Sequence, residues 1–279
     1  MSRFASNIRS LSCAATVLLL GSAPVAMPAA AADATLAERL AEPPVEDAAT
    51  TPVRNWTLIV GLGGALKPEY EGGKDLEVSP LPIFLFTYGD WLKIDPTGLE
   101  LEAFEANGFS VSALAGYESG RDEDDDPILR GLGDIDFAAT LGGKVAYETG
   151  PFAIYATLEK TLGGSGGLVG TSGVSLTAPV SERIILGADA KAVFADDRHM
   201  QSYFGIDATQ SARSGLPAYQ AEAGLKRIDV SASATYLVNE HWLVRGEAGA
   251  KFLTGDAADS PIVRETVQPK ASLMLGYKF

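Results

Sequence analysis

From about residue 55 to the last residue, apolar and polar positions alternate with a period of two. Phe109, Val111, Ala113, Ala115 and Tyr117 line one side of a segment whose other side carries Ser110, Ser112, Leu114, Gly116 and Glu118. Ile135, Phe137, Ala139, Leu141, Val145 and Tyr147 stand opposite Asp136, Thr140, Lys144 and Glu148. Trp242, Val244, Ala248, Ala250 and Phe252 alternate with Arg245, Glu247 and Lys251. Each pattern is that of a strand with one apolar and one charged face. The segments are long, and aromatic residues gather near their ends, among them Trp56, Tyr88, Trp91, Phe109, Tyr147, Phe152, Phe194, Tyr236, Trp242, Phe252 and Tyr277. A membrane strand needs about 9 to 11 residues and ends in aromatic girdles, whereas a soluble strand averages about 5 to 6. The pattern predicts an all-β, transmembrane, antiparallel up-and-down barrel.

Turn chemistry orders the strands. Short connections fall at Tyr88-Gly89-Asp90, Ala106-Asn107-Gly108, Thr149-Gly150-Pro151, Val180-Ser181-Glu182 and Asn239-Glu240. Longer ones run from Lys67 to Asp75, Gly120 to Asp134, Asp196 to about Ala218, and Thr254 to Thr266. Short periplasmic turns alternating with long extracellular loops are the signature of an outer-membrane barrel. About twelve strands are expected, or ten if Trp91 to Ala106 does not divide into two. From Tyr219 to Val238 the apolar phase shifts from odd to even positions, which calls for a bulge near Lys226-Arg227 or a strand that starts only there. The chain ends on Ala271, Leu273, Leu275, Tyr277 and Phe279, an apolar row closing on an aromatic. Leu273, Leu275, Tyr277 and Phe279 resemble the terminal strand by which the outer-membrane assembly machinery recognises its clients.

The N-terminus divides differently. Arg3 and Arg9 precede an apolar stretch from Leu11 to about Val25, and small residues around Ala29 to Ala34 offer a cleavage site. Residues 1–32 read as a Sec signal peptide cut near Ala32. Residues 33–54 are acidic and rich in Ala, Pro, Glu and Thr, a flexible periplasmic lead-in, and the barrel domain is expected over 55–279.

Composition excludes several functions. The whole chain of 279 residues has 22 Lys+Arg against 36 Asp+Glu, one Cys and two His. With no basic stripe, nucleic-acid binding is not expected. One Cys allows neither an intramolecular disulfide nor a Cys-based metal site, and neither a cofactor nor a metal is expected. Loss of Arg3 and Arg9 with the signal would leave 20 bases against 36 acids.

Much of the surplus negative charge lies in the long connections, above all at Asp122-Glu123-Asp124-Asp125-Asp126, which reads as a solvated loop rather than a Ca²⁺ site because it lacks the spaced ligand pattern. Inward positions hold Lys93, Glu100, Glu102, Asp136, Lys144, Glu159, Asp189, Lys191, Arg245, Glu247 and Lys251. These charges nearly balance. They form either a salt-bridged, closed interior or a small polar conduit. Gly163-Gly164-Ser165-Gly166-Gly167 lacks the Lys and helix of a phosphate loop and reads as a flexible extracellular hairpin. His199 with Ser202 lacks an orienting third group and reads as a loop histidine, and His241-Trp242 as an interface anchor.

Several stretches together resemble the MipA/OmpV family, the MltA-interacting proteins. They are Pro68-Glu69-Tyr70-Glu71-Gly72, Gly116-Tyr117-Glu118-Ser119-Gly120-Arg121, Leu129-Arg130-Gly131-Leu132-Gly133-Asp134-Ile135-Asp136, Tyr203-Phe204-Gly205-Ile206 and Gly255-Asp256-Ala257-Ala258-Asp259-Ser260-Pro261-Ile262-Val263. The resemblance implies an outer-membrane barrel surrounded by lipid and lipopolysaccharide, and it does not imply a catalytic site. One member is linked to scaffolding of murein hydrolase and synthase, others to adhesion or drug response. A non-enzymatic scaffold is therefore the first expectation, with a narrow channel or small-solute binder second and an acyl hydrolase last.

A closed barrel resists SDS until boiled. Unheated protein from the outer-membrane fraction is expected to migrate faster than the boiled sample, and identical migration would count against the barrel.

Overall fold

The structure, a computed structural model, describes residues 55–279. The expected signal peptide and acidic lead-in lie outside the described residues. Twelve strands close into one antiparallel barrel in sequence order. They are β1 (Trp56–Pro68), β2 (Leu76–Tyr88), β3 (Leu92–Asp95), β4 (Gly98–Ala106), β5 (Phe109–Glu118), β6 (Ala138–Thr149), β7 (Phe152–Leu162), β8 (Leu168–Pro179), β9 (Ile184–Ala195), β10 (Gly224–Leu237), β11 (Trp242–Leu253) and β12 (Val267–Lys278). Trp91 to Ala106 does form two strands, so the count is twelve. None of the described helices is long and apolar enough to cross a membrane. Among the described residues, crossing is by strand.

The alternation acts as the sequence suggested. On β7, Phe152, Ile154, Leu158 and Leu162 are exposed while Ala153, Tyr155, Thr157, Glu159 and Thr161 are buried. The outer face is apolar because lipid must meet it, and the inner face carries the polar side chains. Tyr88, Trp91, Phe109, Tyr147, Phe152, Trp242 and Phe279 ring the end where the short turns lie, and all are exposed. His241 stacks on Tyr277 at 5.5 Å and Trp242 meets the same ring edge-on, the anchoring expected there.

Closure depends on β1 meeting β12 from Ile59↔Lys278 to Leu66↔Ala271. The last residue takes part, since Phe279 N donates to Leu58 O at 3.0 Å. Glycine lets the two backbones come together. A Cβ on Gly63 would sit 2.3 Å from Leu273 O and 2.9 Å from the Met274 Cα, whereas one on Gly64 would meet nothing.

The long connections fold over one end of the barrel. They contain a 3-10 turn at Pro127–Leu129, α1 (Asp197–Phe204), α2 (Ala208–Ser214) and α3 (Gly255–Ala258). Met200, Tyr203 and Phe204 of α1 pack with Val169, Val193, Leu253 and Ala257 in the mouth. A second cluster joins Tyr70, Leu129, Leu132, Ile206 and Ile262 from four different connections. At the opposite end Ile59, Leu85, Ile185 and Leu243 cluster inside the lumen, drawn from strands on both sides of it.

Two substitutions separate seam packing from mere glycine loss. Gly63→Val is expected to lower unfolding stability in urea by about 1–3 kcal/mol through overpacking, while Gly64→Val, facing open space, changes it by under about 0.5 kcal/mol.

Candidate functional site

Between the apolar floor and the mouth, inward polar groups pair along single strands and between strands one or two places apart round the barrel. Lys144 on β6 lies 2.6 Å from Glu100 on β4. Lys93 and Asp95 stand 2.9 Å apart on β3, and Glu247 takes Lys270 at 2.9 Å and Arg245 at 3.5 Å. Tyr155 donates to Asp189 at 2.9 Å, and Asp229 accepts from Arg227 at 2.8 Å with Lys191 3.9 Å away. Thr140 donates weakly to Glu159 at 3.4 Å.

Of the charges expected in the lumen, Lys93, Glu100, Lys144, Glu159, Lys191, Arg245 and Glu247 are buried. Glu102, Asp189 and Lys251 are half-buried. Asp136 is exposed, which corrects the expectation for it: β6 starts only at Ala138, so Asp136 stands on the connection ahead of the strand rather than on its inner face.

The densest cluster lies just under the mouth and joins four connections or strand ends. Its base is the bulge on β10, where the pairing with β9 slips between Leu225 and Arg227. Consecutive strand residues normally face opposite sides. The bulge turns both Lys226 and Arg227 inward, at 0% and 1% exposure. Lys226 Nζ lies 2.8 Å from Glu71 and 2.8 Å from His199 Nε2. Arg227 pairs with Glu71 as well as Asp229.

His199 arrives from above. Asp196 caps α1 by accepting from His199 N at 2.9 Å, and the ring drops into the mouth with no exposed surface. Its Nδ1 lies 3.2 Å from Glu118, at the end of β5. Because Nε2 accepts from the Lys226 ammonium, the proton sits on Nδ1 and is donated to Glu118; this tautomer is assigned from the partners.

Ser165 completes the cluster. Its hydroxyl donates to Glu118 at 2.8 Å, and its own N–H does so at 3.2 Å. The Gly163–Gly167 hairpin is therefore a pinned clasp, not the flexible extracellular hairpin expected. A Cβ on Gly167 would lie 2.4 Å from that of His199, so only glycine lets the clasp close on α1. Ser202 is not the partner of His199 and instead donates to Ser165 O at 3.4 Å. Ser165, His199 and Glu118 have the residue types of a hydrolytic triad in a different wiring. The serine proton goes to the carboxylate, and the imidazole nitrogen that would act as base holds Lys226. The arrangement works as a latch between the clasp, α1, β5 and β10.

Its electrostatics favour the closed state. Burial raises the proton affinity of Glu71, but Lys226 and Arg227 overcome it and hold the carboxyl far below the ordinary range. Burial and the Lys226 charge push His199 down, against the pull of Glu118, so its neutral form is favoured.

The stretches that carry the family resemblance meet in this cap. Tyr70 donates to Ile262 O at 2.8 Å, Gln268 accepts from Gly72 N at 3.1 Å, and Ser260 donates to Phe204 O at 2.5 Å. Arg121 donates to Tyr203 O at 2.8 Å. The acidic run is partly ordered by backbone groups later in the same connection: Glu123 accepts from Gly131 and Gly133 at 2.9 Å each, and buried Asp126 caps the 3-10 turn. Among the described residues no group of three or more His, Cys, Asp or Glu side chains is gathered as a metal site would require. Outside the cap, a hollow of about 810 Å³ lies between α1 and residues 218–222. Two of its acids are already engaged, Asp197 by Ala223 N and Asp207 as the cap of α2.

The family profile described as MltA-interacting protein MipA matches residues 60–279. YiaT, named an outer membrane protein, from Escherichia coli (strain K12), is 26% identical over 210 residues, covering 74% of this chain and 84% of that protein. Among solved structures, the NanC porin aligns with a TM-score of 0.44 at 8% identity over 80% of this chain and all of that one. The COG4313 outer membrane channel of Pseudomonas putida F1 aligns at 0.35 and 11% identity, over 85% of this chain and all of that one.

Glu118→Ala removes the acceptor shared by Ser165 and His199. A loss of about 3 kcal/mol of cap stability is expected, read as roughly hundred-fold faster amide exchange over residues 163–167 and 197–204. In the unaltered protein, the folded cap binds the His199 proton less well than the unfolded chain does. Its stabilising contribution is complete above about pH 6.5 and declines as pH falls below it, so the protection factors of the same segments, measured against the intrinsic exchange rate at each pH, should fall towards pH 5.

Proposed function

The chain belongs to the MltA-interacting protein MipA family of outer-membrane barrels, and from that premise we propose that it is a non-enzymatic scaffold with a closed lumen. The observation that carries this reading is closure at three levels. The latched cap fills the mouth, paired charges cross the middle, and Ile59, Leu85, Ile185 and Leu243 pack together near the far end. A solute would have to break buried ion pairs and displace an apolar plug, each costing several kcal/mol.

With the interior occupied, the working surface is the periplasmic rim. It consists of the short turns at Gly89-Asp90, Asn107-Gly108, Gly150-Pro151, Ser181 to Arg183 and Asn239-Glu240. These turns are exposed and held in place by the strands beneath them. Asn239, for example, accepts from both His241 N and Trp242 N. A rigid ring of this kind suits holding a soluble murein hydrolase, and a synthase beside it, against the inner face of the outer membrane. The family description names such an interaction, with MltA. The chemistry would belong to the partners.

Planar-bilayer recording and affinity capture test this together. The wild-type protein is expected to show no stable unitary conductance, and Ile185→Ala with Leu243→Ala, which empties the plug but leaves the latched cap and the paired charges, is expected to show none either. Immobilised barrel should retain purified MltA, and charge-reversed Glu240→Lys should weaken retention. A wild-type conductance altered by Lys191→Gln or Glu102→Gln, without MltA capture, would replace the scaffold by a narrow channel.

A further inference from the structure

The ladder of strand pairings is incomplete at one place among the described residues. β2 has thirteen residues, but its neighbour β3 has four and pairs only with Phe86, Thr87 and Tyr88. β4 begins at Gly98, opposite Asp95, so the β3–β4 hairpin ends in a tip at Pro96-Thr97 that stops both strands at one height. Above this tip β2 continues from Phe84 to Leu76, roughly 26 Å at about 3.3 Å per residue. Along that length it pairs with β1 alone.

The polarity of the free edge follows from the ladder. Gly89 N donates to Asn55 O, so the odd-numbered residues of β2 exchange hydrogen bonds with β1 and the even-numbered ones point their backbone groups the other way. Those even positions are Leu76, Val78, Pro80, Pro82 and Phe84. No backbone partner for them on that side is present among the described residues. Pro80 and Pro82 have no N–H to offer, so the edge is made largely of acceptors and resists addition of another strand.

The unpaired edge lies in the hydrocarbon-facing part of the wall. Pro82 is level with Leu62 on β1 and, through it, Leu275 on β12; Pro80 is level with Gly64 and Leu273. Leu62, Leu273 and Leu275 are lipid-facing, at 64%, 62% and 46% exposure. Val78 and Phe84 on the edge itself are exposed at 77% and 46%. On the inner side of the sill, Glu100 is 5% exposed and holds Lys144 through one oxygen, while its Oε2 has no hydrogen-bond partner. Ser112, 3% exposed on β5, likewise has an unpartnered hydroxyl.

We propose that this gap is a lateral portal through which an outer-leaflet amphiphile, with one alkyl chain and a hydrogen-bond-donating head, enters the wall of the barrel. In hydrocarbon an unsatisfied carbonyl is costly, and water is not there to relieve it. A hydroxyl or ammonium head satisfies the edge carbonyls and the Glu100 carboxylate, while its chain lies against Val78 and Phe84. A second strand, from another copy or a partner, would need the two donors that the prolines remove. The portal is independent of the scaffold reading, because it opens to the membrane and not to the periplasm.

Cysteine accessibility in proteoliposomes tests it, in a full chain with Cys13→Ser. Leu81 on β2 is inward-facing and 3% exposed beside the gap; Ala146 on β6 is inward-facing and equally buried behind a complete wall. N-dodecylmaleimide is expected to label Leu81→Cys at least ten-fold faster than Ala146→Cys, with a sulfonated, membrane-impermeant maleimide labelling neither. Dodecan-1-ol should slow the reaction at least three-fold more than dodecyl methyl ether, which lacks a donor. If heat-modifiable migration shows that Leu81→Cys does not fold, Ser79→Cys carries the same expectation. Equal labelling of the two sites, or comparable labelling by the sulfonated reagent, would overturn the portal, and equal protection by alcohol and ether would overturn the donor requirement.

Discussion

In hydrocarbon every backbone N–H and C=O needs a partner from the protein itself, and this protein meets that demand by joining its first strand to its last. Much else follows from the closure. The even strand number puts both described ends on the rim with the short turns. Gly61 and Gly63 on β1 are needed because larger side chains would strike the β12 backbone. The terminal Phe279 contributes a hydrogen bond as well as an aromatic anchor. Where the rule is relaxed, along the upper half of β2, two prolines stand on the unpaired edge, so the local sequence is adapted to the gap.

Closure also creates an interior that must be filled. The lumen of a twelve-stranded barrel is modest, and side chains from facing strands occupy it. Here the filling is graded along the axis. Aliphatic contacts lie near the turns, ion pairs lie in the middle, and a mixed apolar and charged cap lies at the mouth. Buried ion pairs contribute little net stability compared with apolar packing, but removing one partner is costly, so they favour a single arrangement. Glu71, Lys226, Arg227 and Asp229 form one continuous chain of such pairs, and His199 ties it to the hairpin at Ser165.

Much of the barrel was legible in the sequence because a strand's two faces are written at neighbouring positions. The alternations from Phe109, Ile135 and Trp242 marked strands, and the phase change near Lys226 required either a bulge or a strand starting there, of which the structure has the bulge. What could not be read depended on register between distant strands. Nothing local to Glu118, Ser165 or His199 says that they meet, since they are 47 and 34 residues apart and come together only after β5 to β9 have paired. Asp136 was misplaced because alternation runs on past the point where Arg121 and Ile135 form only an isolated bridge. The glycines of 163–167 suggested freedom, whereas three positive φ angles and a close approach to His199 use them to hold one shape. Pro80 and Pro82 were visible, but their meaning depended on knowing that the next strand is only four residues long.

The hydrogen bond between Gly72 and Gln268 joins residues 196 positions apart, and that of Gln268 with Gly73 and that of Tyr70 with Ile262 span nearly as much of the chain. Contacts of such separation make folding slow and leave the cap among the last parts to form. A chain that stops before β12 always lacks Gln268, and Ile262 as well if it stops earlier still, so it can complete neither the seam nor the roof above it. The roof thus reports that synthesis and strand assembly have reached their end, and a barrel that carries it has passed a test of its own completeness.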